Sequence, residues 1–256
     1  MTSSRSPRNI RLLLEYDGTD FAGWQVQAAR RTVEAELRRA VYAVTGEQST
    51  LYAAGRTDAG AHAEGQVANF HYGGRLSARR LTAALNAHLP LDVAVLGADE
   101  AQQGFHARYS ARRRRYRYRY LDRDARPALD RARCWHVRGR LDVPAMAQAA
   151  KALIGAHDWT TFCSASEPSG DRVRTVDAAQ VERHGRFVEL DIVGEGFLRG
   201  MVRSIAGGLA EVGSGRRQPG WLAAVLAAHD RRLAPKTAPA AGLTLVEVVY
   251  EAAEES

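Results

Sequence analysis

At 256 residues and 28.0 kDa, the chain is long enough to bury a substantial core, in one large domain or two of about 100–150 residues. Its 45% hydrophobic and 25% charged residues exclude a disordered polyelectrolyte, and no run of about 18 uncharged apolar residues exists to form a transmembrane helix. The 36 basic residues exceed the 29 acidic ones, giving a net charge of +7 and a pI near 9.8; Lys151 and Lys236 are the only lysines, so the excess is arginine, whose planar fork suits phosphate oxygens and nucleobases, although a solvated surface is the alternative reading.

The opening segment, MTSSRSPRNIRLL, has neither a long apolar stretch nor a small-residue cleavage site, so no secretory signal is expected. Ile10 to Tyr16 alternates as a strand does. Thr32 is placed to cap a helix whose Val33, Leu37, Val41 and Val44 share one face and which ends before Gly46. Thr50 to Ala54 and Gln66 to Tyr72 read as strands. Ser77 can cap a helix through Leu81 and Leu85, which Leu89-Pro90 stops. Asp92 to Leu96 reads as the next strand.

The order then repeats. Tyr116 to Leu121 is a strand, and Asp142 with Pro144 opens a helix that Gly155 ends. Val173 to Glu182 and Phe187 to Val193 are strands. Leu198, Val202, Ile205, Leu209 and Val212 line one helix face, a short helix follows Pro219, and Leu243 to Tyr250 closes the chain. Two successive β-α-β-β-α-β units predict an α+β protein of two tandem ferredoxin-like (RRM-like) domains, residues 1–104 and 105–256, with the sheets joined and a basic cleft between them. A free sheet face in such modules is an RNA-binding surface. Cys134 and Cys163 fit neither a disulfide framework nor a zinc motif, and a reducing cytoplasm is the natural compartment.

Three stretches carry candidate chemistry. In Ala54-Gly55-Arg56-Thr57-Asp58-Ala59-Gly60-Ala61-His62, glycines allow close approach of a ligand, and Arg56 is placed to keep Asp58 ionised. The other reading is a connecting loop in which Asp58 satisfies backbone donors. Asp58 and His62 alone do not make a metal site, and no G-x-S-x-G elbow or phosphate loop is present. The second stretch, Phe105 to Ser110 followed by Arg112, Arg113, Arg114 and Arg115 and then Tyr116-Arg117-Tyr118-Arg119-Tyr120, interleaves charge with rings. That pattern suits phosphate contact and base stacking; a half-buried strand with its tyrosines in the core is the alternative. Mutual repulsion in the arginine run calls for an anionic partner. In the third, Arg199 and Arg203 lie four apart on one side of an amphipathic helix.

Together these stretches resemble the TruA-type tRNA pseudouridine synthases over nearly the whole chain. Leu14 to Phe21 with Gly23-Trp24-Gln25 looks like the family's opening motif. GRTDAGAHA at 55–63 looks like its active-site loop. FHARYSA at 105–111, RRYRY at 114–118, FLRGMVRSI at 197–205 and KTAPAAGL at 236–243 are similar to its later motifs. Ala61 stands where the family usually has valine, Arg199-Gly200 replaces a pair that is commonly two histidines, and the 164–171 loop matches no family pattern. The resemblance implies an isomerase that converts uridine to pseudouridine at positions 38–40 of the tRNA anticodon arm, without cofactor or metal, as a cytoplasmic homodimer. It implies Asp58 as the nucleophile on a flipped-out uridine, with Arg56, Tyr116 and Arg203 in the active site. Gly55 and Thr57 would touch substrate beside them, and Arg112 to Arg115 with Arg199 would grip the RNA. A non-catalytic RNA-binding protein on the same fold is the rival.

Overall fold

The computed structural model describes residues 6–167 and 170–251. The described residues fall into two compact units, one made of residues 6–112 with 245–251 and the other lying within 113–244. Each mixes helices with antiparallel strands, and the described residues hold five α-helices in all. The C-terminal segment thus returns to the first unit, a non-local association that element order along the sequence does not reveal.

In the first unit, β1 (Arg8–Tyr16) lies between β3 (His62–Tyr72) and β4 (Val93–Ala101), antiparallel to both. The short β2 (Tyr52–Ala53) pairs antiparallel with β3. Ile10, Leu12, Leu14 and Tyr16 alternate along β1 and are buried, whereas Leu13 and Glu15 between them are exposed. Helices α1 (Val33–Thr45) and α2 (Ala78–His88) bury Val33, Leu37 and Val41, and Leu81 and Leu85. Both start at the expected caps: Thr32 Oγ1 accepts from the Ala35 amide and Ser77 Oγ from the Arg80 amide. Gly46 ends α1 at φ 70°, a conformation that glycine reaches without a Cβ penalty.

In the second unit, β5 (Ala111–Asp122) is followed by β6 (Trp135–Val137), α3 (Val143–Lys151), β7 (Gly155–Asp158), β8 (Val173–His184), β9 (Phe187–Gly194), α4 (Met201–Gly213) and α5 (Trp221–Ala227); β10 (Leu243–Tyr250) ends the order, with its residues from Leu245 onward in the first unit. The strands run β5-β9-β8-β7, each antiparallel to its neighbour, with β6 parallel along β5. The register sets Arg117 opposite Asp191 and Arg119 opposite Glu189. Tyr118 and Tyr120, on the other face, are fully buried and donate to the Pro239 and Ala206 carbonyls at 2.7 and 2.8 Å. They are core residues with satisfied hydroxyls, and burial raises the pKa of both phenols. Of the two readings left open for this strand, the structure therefore selects the half-buried one for these two tyrosines.

Asp122 closes β5 with a buried carboxylate that takes a two-pronged grip from Arg183 at 2.8 and 2.7 Å and a hydrogen bond from the Leu141 amide at 2.9 Å. Burial alone would raise its pKa, but the Arg183 and Leu141 hydrogen bonds and the charges of Arg183 and Arg140 outweigh it and hold the carboxyl below its ordinary value. A carboxyl depressed in the folded state stabilises above its unfolded value, about pH 4, and loses that contribution as pH falls through the lower folded value. Asp122→Ala, which leaves Arg183 without its partner, is expected to cost about 3–5 kcal/mol at neutral pH. The gap in thermal midpoint between variant and natural protein should close in acid; a constant gap across pH would contradict this assignment.

Candidate active site

The GRTDAG segment is the connection between β2 and β3, and it is held mostly by neutral groups. The Ala54 amide donates to the Val67 carbonyl at 2.8 Å. Gln66, fully buried, donates from Nε2 to the Gly55 carbonyl at 2.8 Å. Thr57 turns inward, its hydroxyl 2.8 Å from the buried Tyr16 hydroxyl, and its carbonyl accepts from the Trp24 amide at 3.1 Å. Beyond it, the Ala61 amide donates to the Asp58 carbonyl at 3.1 Å, closing a four-residue turn with Gly60 at φ 80° in the third position, where glycine is favoured.

The segment from Gly18 to Trp24 braces this loop from behind. A Cβ on Gly18 would lie 1.8 Å from the Ala61 carbonyl oxygen. One on Gly23, whose φ is 99°, would lie 2.8 Å from the Thr57 carbonyl. The Gly60 amide reaches the Phe21 carbonyl at 3.2 Å. His62, buried where β3 begins, accepts on Nδ1 from the Gly18 amide at 3.0 Å. Asp17 Oδ1 lies 3.2 Å from the same nitrogen, so the ring is fixed against the start of the opening motif. The glycines of the opening motif thus mark backbone contacts between two segments some 40 residues apart, a role that the sequence does not announce.

Asp58 is half-buried and Arg56 is exposed. The inward turn of Thr57 leaves its two neighbours on the outer side of the loop. The Gln66, Tyr16 and Trp24 bonds fix the backbone of the loop.

In the second unit, Tyr116 is mostly buried on β5, its ring edge-on to Phe197 with centroids 5.2 Å apart. Arg203, half-buried on α4, donates from Nε to the Ala238 carbonyl at 2.8 Å, and the Ala238 amide returns a bond to the Arg203 carbonyl at 3.0 Å. Gly207 lets the chain at Lys236 come so near that a Cβ would sit 1.8 Å from the Lys236 carbonyl oxygen. The FLRGMVRSI and KTAPAAGL stretches therefore form one packed feature. Arg199 engages through its backbone, its amide donating to Glu167 at 2.9 Å and its carbonyl accepting from Ser164 at 2.7 Å. Pro168 and Ser169 of the 164–171 loop lie outside the described residues.

The arginine run has acidic partners within the protein. Arg112 pairs with Glu251, Arg113 with Asp177 at 2.7 Å and Arg115 with Asp191 at 2.9 Å, and Arg114 donates to the Glu195 carbonyl at 2.5 Å. These contacts relieve the repulsion that the sequence alone attributes to an external anion. The run is thus no independent sign of RNA, although the Arg112 and Arg113 side chains keep 59% and 45% exposure. Among the described residues no three or more His, Cys, Asp or Glu side chains are grouped as metal ligands would be.

The tRNA pseudouridine synthase family matches residues 13–110 and 149–251. Proteins called tRNA pseudouridine synthase A from Moorella thermoacetica and Caulobacter vibrioides are 45% and 46% identical over 243 and 241 residues, covering 94% of this chain and 99% and 98% of theirs. One of the same name from Brevibacillus brevis is 44% identical over 243 residues, 95% of this chain and all of that protein. The two matched stretches contain the Asp58 loop, the segment that braces it and the α4 feature. Matched by the family along most of its length and by these relatives along nearly all of it, the chain belongs to the tRNA pseudouridine synthase family.

Proposed function

We propose that the chain converts uridine to pseudouridine at positions 38–40 of the tRNA anticodon arm, with Asp58 as the nucleophile. The observation that carries this reading is the Asp58 turn, a carboxylate mounted on a loop whose backbone is fixed from two sides by Gln66, Tyr16, Trp24 and Gly18. Fixed geometry is what positions a reacting group. The isomerisation breaks the N1–C1′ bond and forms C5–C1′. The proton leaves C5, and N1 ends protonated. No electrons are gained or lost, so the reaction itself requires no redox cofactor. Asp58 adds to the target nucleotide at the ribose or at the base and is expelled as the new bond completes. The uridine has to leave the stack before it can be reached.

Tyr116 is assigned to the uracil ring and, through its hydroxyl, to departure of the C5 proton. Arg56 and Arg203 are assigned to holding the extruded nucleotide and supporting the Asp58 charge, and Gly55 and Thr57 to contact beside it. Arg112 to Arg115 and Arg199 would take phosphates, exchanging internal acids for external ones, which positions RNA without reading its sequence. The antiparallel order β4-β1-β3-β2 in the first unit and β5-β9-β8 in the second supports reading both as ferredoxin-like. A homodimer working in the cytoplasm completes the reading. No helix among the described residues is long and apolar enough to cross a membrane.

The test uses a tRNA transcript tritiated at uridine C5, because joining C5 to the ribose displaces that hydrogen. Release of tritium to water is expected, and a transcript with cytidine at 38, 39 and 40 should release none. Equal release from both would place the reaction elsewhere in the tRNA.

A further inference from the structure

Phe197 has no part in the chemistry assigned so far, yet the structure holds it against Tyr116. Its ring meets the Tyr116 ring edge-on, at 83° and with 5.2 Å between centroids. Two aromatic rings favour this arrangement, because the positive rim of one faces the negative surface of the other. Both residues belong to the second unit. Tyr116 is 8% exposed and Phe197 is half-buried.

Phe197 stands in the bend that joins β9 to α4, and this bend is clamped at both ends. At its start the Glu195 amide donates to the Thr175 carbonyl at 3.2 Å, and the Thr175 amide donates to Glu195 Oε1 at 2.9 Å. Arg114, from the same strand as Tyr116, donates to the Glu195 carbonyl at 2.5 Å. At its end Arg199 is tied through its backbone to Glu167 and Ser164. Leu198 is buried, and its carbonyl accepts from the Met201 amide at 3.1 Å, where α4 begins. Gly194 makes the seat for the ring. A Cβ there would lie 3.3 Å from Phe197 Cζ and 2.5 Å from the Thr175 carbonyl oxygen. The tip of the Phe197 ring thus lies close to where a side chain at 194 would begin. A ring with its backbone clamped and its tip seated on a glycine has little room to turn away from Tyr116.

We propose that Phe197 is a positioning residue for the isomerisation: its ring edge holds the Tyr116 side chain so that the hydroxyl is aimed at uracil C5. This role rests on the part assigned to the Tyr116 hydroxyl and deepens it. The step concerned follows formation of C5–C1′. The C5–H bond breaks, its electron pair restores the C5–C6 double bond, and the proton passes to the Tyr116 oxygen, whose own proton leaves for solvent. Such a transfer works only over hydrogen-bond distance. A tyrosine oxygen lies far from its backbone, so a modest tilt of the ring carries it by about 1 Å, enough to cost roughly 10²-fold in rate. Phe197 carries no charge and packs on a protein ring, so its loss should show in the rate and not in the grip on tRNA.

The test measures single-turnover release of tritium from uridine C5 at saturating enzyme, together with tRNA dissociation constants and thermal midpoints. Phe197→Ala is expected to slow release about 10- to 100-fold, with the dissociation constant within a few-fold of the natural one. Phe197→Leu keeps most of the buried volume and should keep the natural thermal midpoint. It should recover little of the rate, because an aliphatic chain lacks the flat edge. Tyr116→Phe removes the hydroxyl and keeps the ring pair. In that background Phe197→Ala should slow release by no more than about twofold further, since no hydroxyl is left to aim. The positioning role is overturned if Phe197→Leu works at the natural rate, if the losses from Phe197→Ala and Tyr116→Phe multiply, or if affinity falls in step with the rate. A natural protein that releases no tritium would overturn the enzymatic reading and this role with it. Release that is lost in Asp58→Ala, with multiplying losses at 116 and 197, would overturn the role of Phe197 alone.

Discussion

Asp58→Asn is expected to bring pseudouridine formation down by on the order of 10⁴-fold or more while leaving tRNA affinity within a few-fold of the natural protein. The substitution is nearly isosteric and removes only charge and nucleophilicity. The loop should survive it, because the Gln66, Thr57, Trp24 and Gly60 bonds that fix its backbone are kept. Loss of a nucleophile typically costs this much, whereas a group that only assists proton transfer is worth about 10²–10⁴. Single-turnover rates at saturating enzyme, set beside dissociation constants, separate the two. A rate reduced by less than about 10²-fold would remove Asp58 from the nucleophile's place.

Gly18→Ala is the second large effect. The added methyl would sit 1.8 Å from the Ala61 oxygen and 2.5 Å from its carbon, and no side-chain rotation relieves a clash with backbone. The end of the Asp58 turn has to move by about 1 Å or more, and misplacement on that scale costs roughly 10²-fold in rate. A stability loss of about 1–3 kcal/mol should accompany it. Gly97→Ala is the matched control, since a Cβ there meets nothing within 4 Å. A wild-type rate in the Gly18 variant would show that the opening motif does not govern the loop.

The elements that the sequence makes legible are those with local signatures. Thr32, Ser77 and Asp142 cap their helices through side-chain oxygens, and alternation marks β1. β5 begins at Ala111, five residues before the expected Tyr116, because acids distant in sequence neutralise an arginine run that reads locally as unfavourable in a strand. β6 and β7, of three and four residues, are too short to show periodicity. Motif resemblance identifies Asp58 and its neighbours, yet what fixes them is not in the motif's own residues. Gly18, Gly23 and Gln66 matter through backbone approach and a buried amide, and spacing alone cannot show which carbonyl a glycine must admit. The tyrosines of β5 show the converse: an arginine–tyrosine alternation suits both an RNA-facing strand and a core strand, and the hydroxyl partners at Pro239 and Ala206 decide for the core at Tyr118 and Tyr120.

In the proposed reaction one carboxylate, Asp58, performs the isomerisation in the anticodon arm. Its most direct test is base-resolved mapping of pseudouridine in an unmodified tRNA transcript after incubation with the natural protein and with Asp58→Ala. Pseudouridine confined to uridines at 38–40 with the natural protein, and none with the variant, is the expected result. Pseudouridine made by the Asp58→Ala protein, or none made at those positions by the natural one, would contradict it.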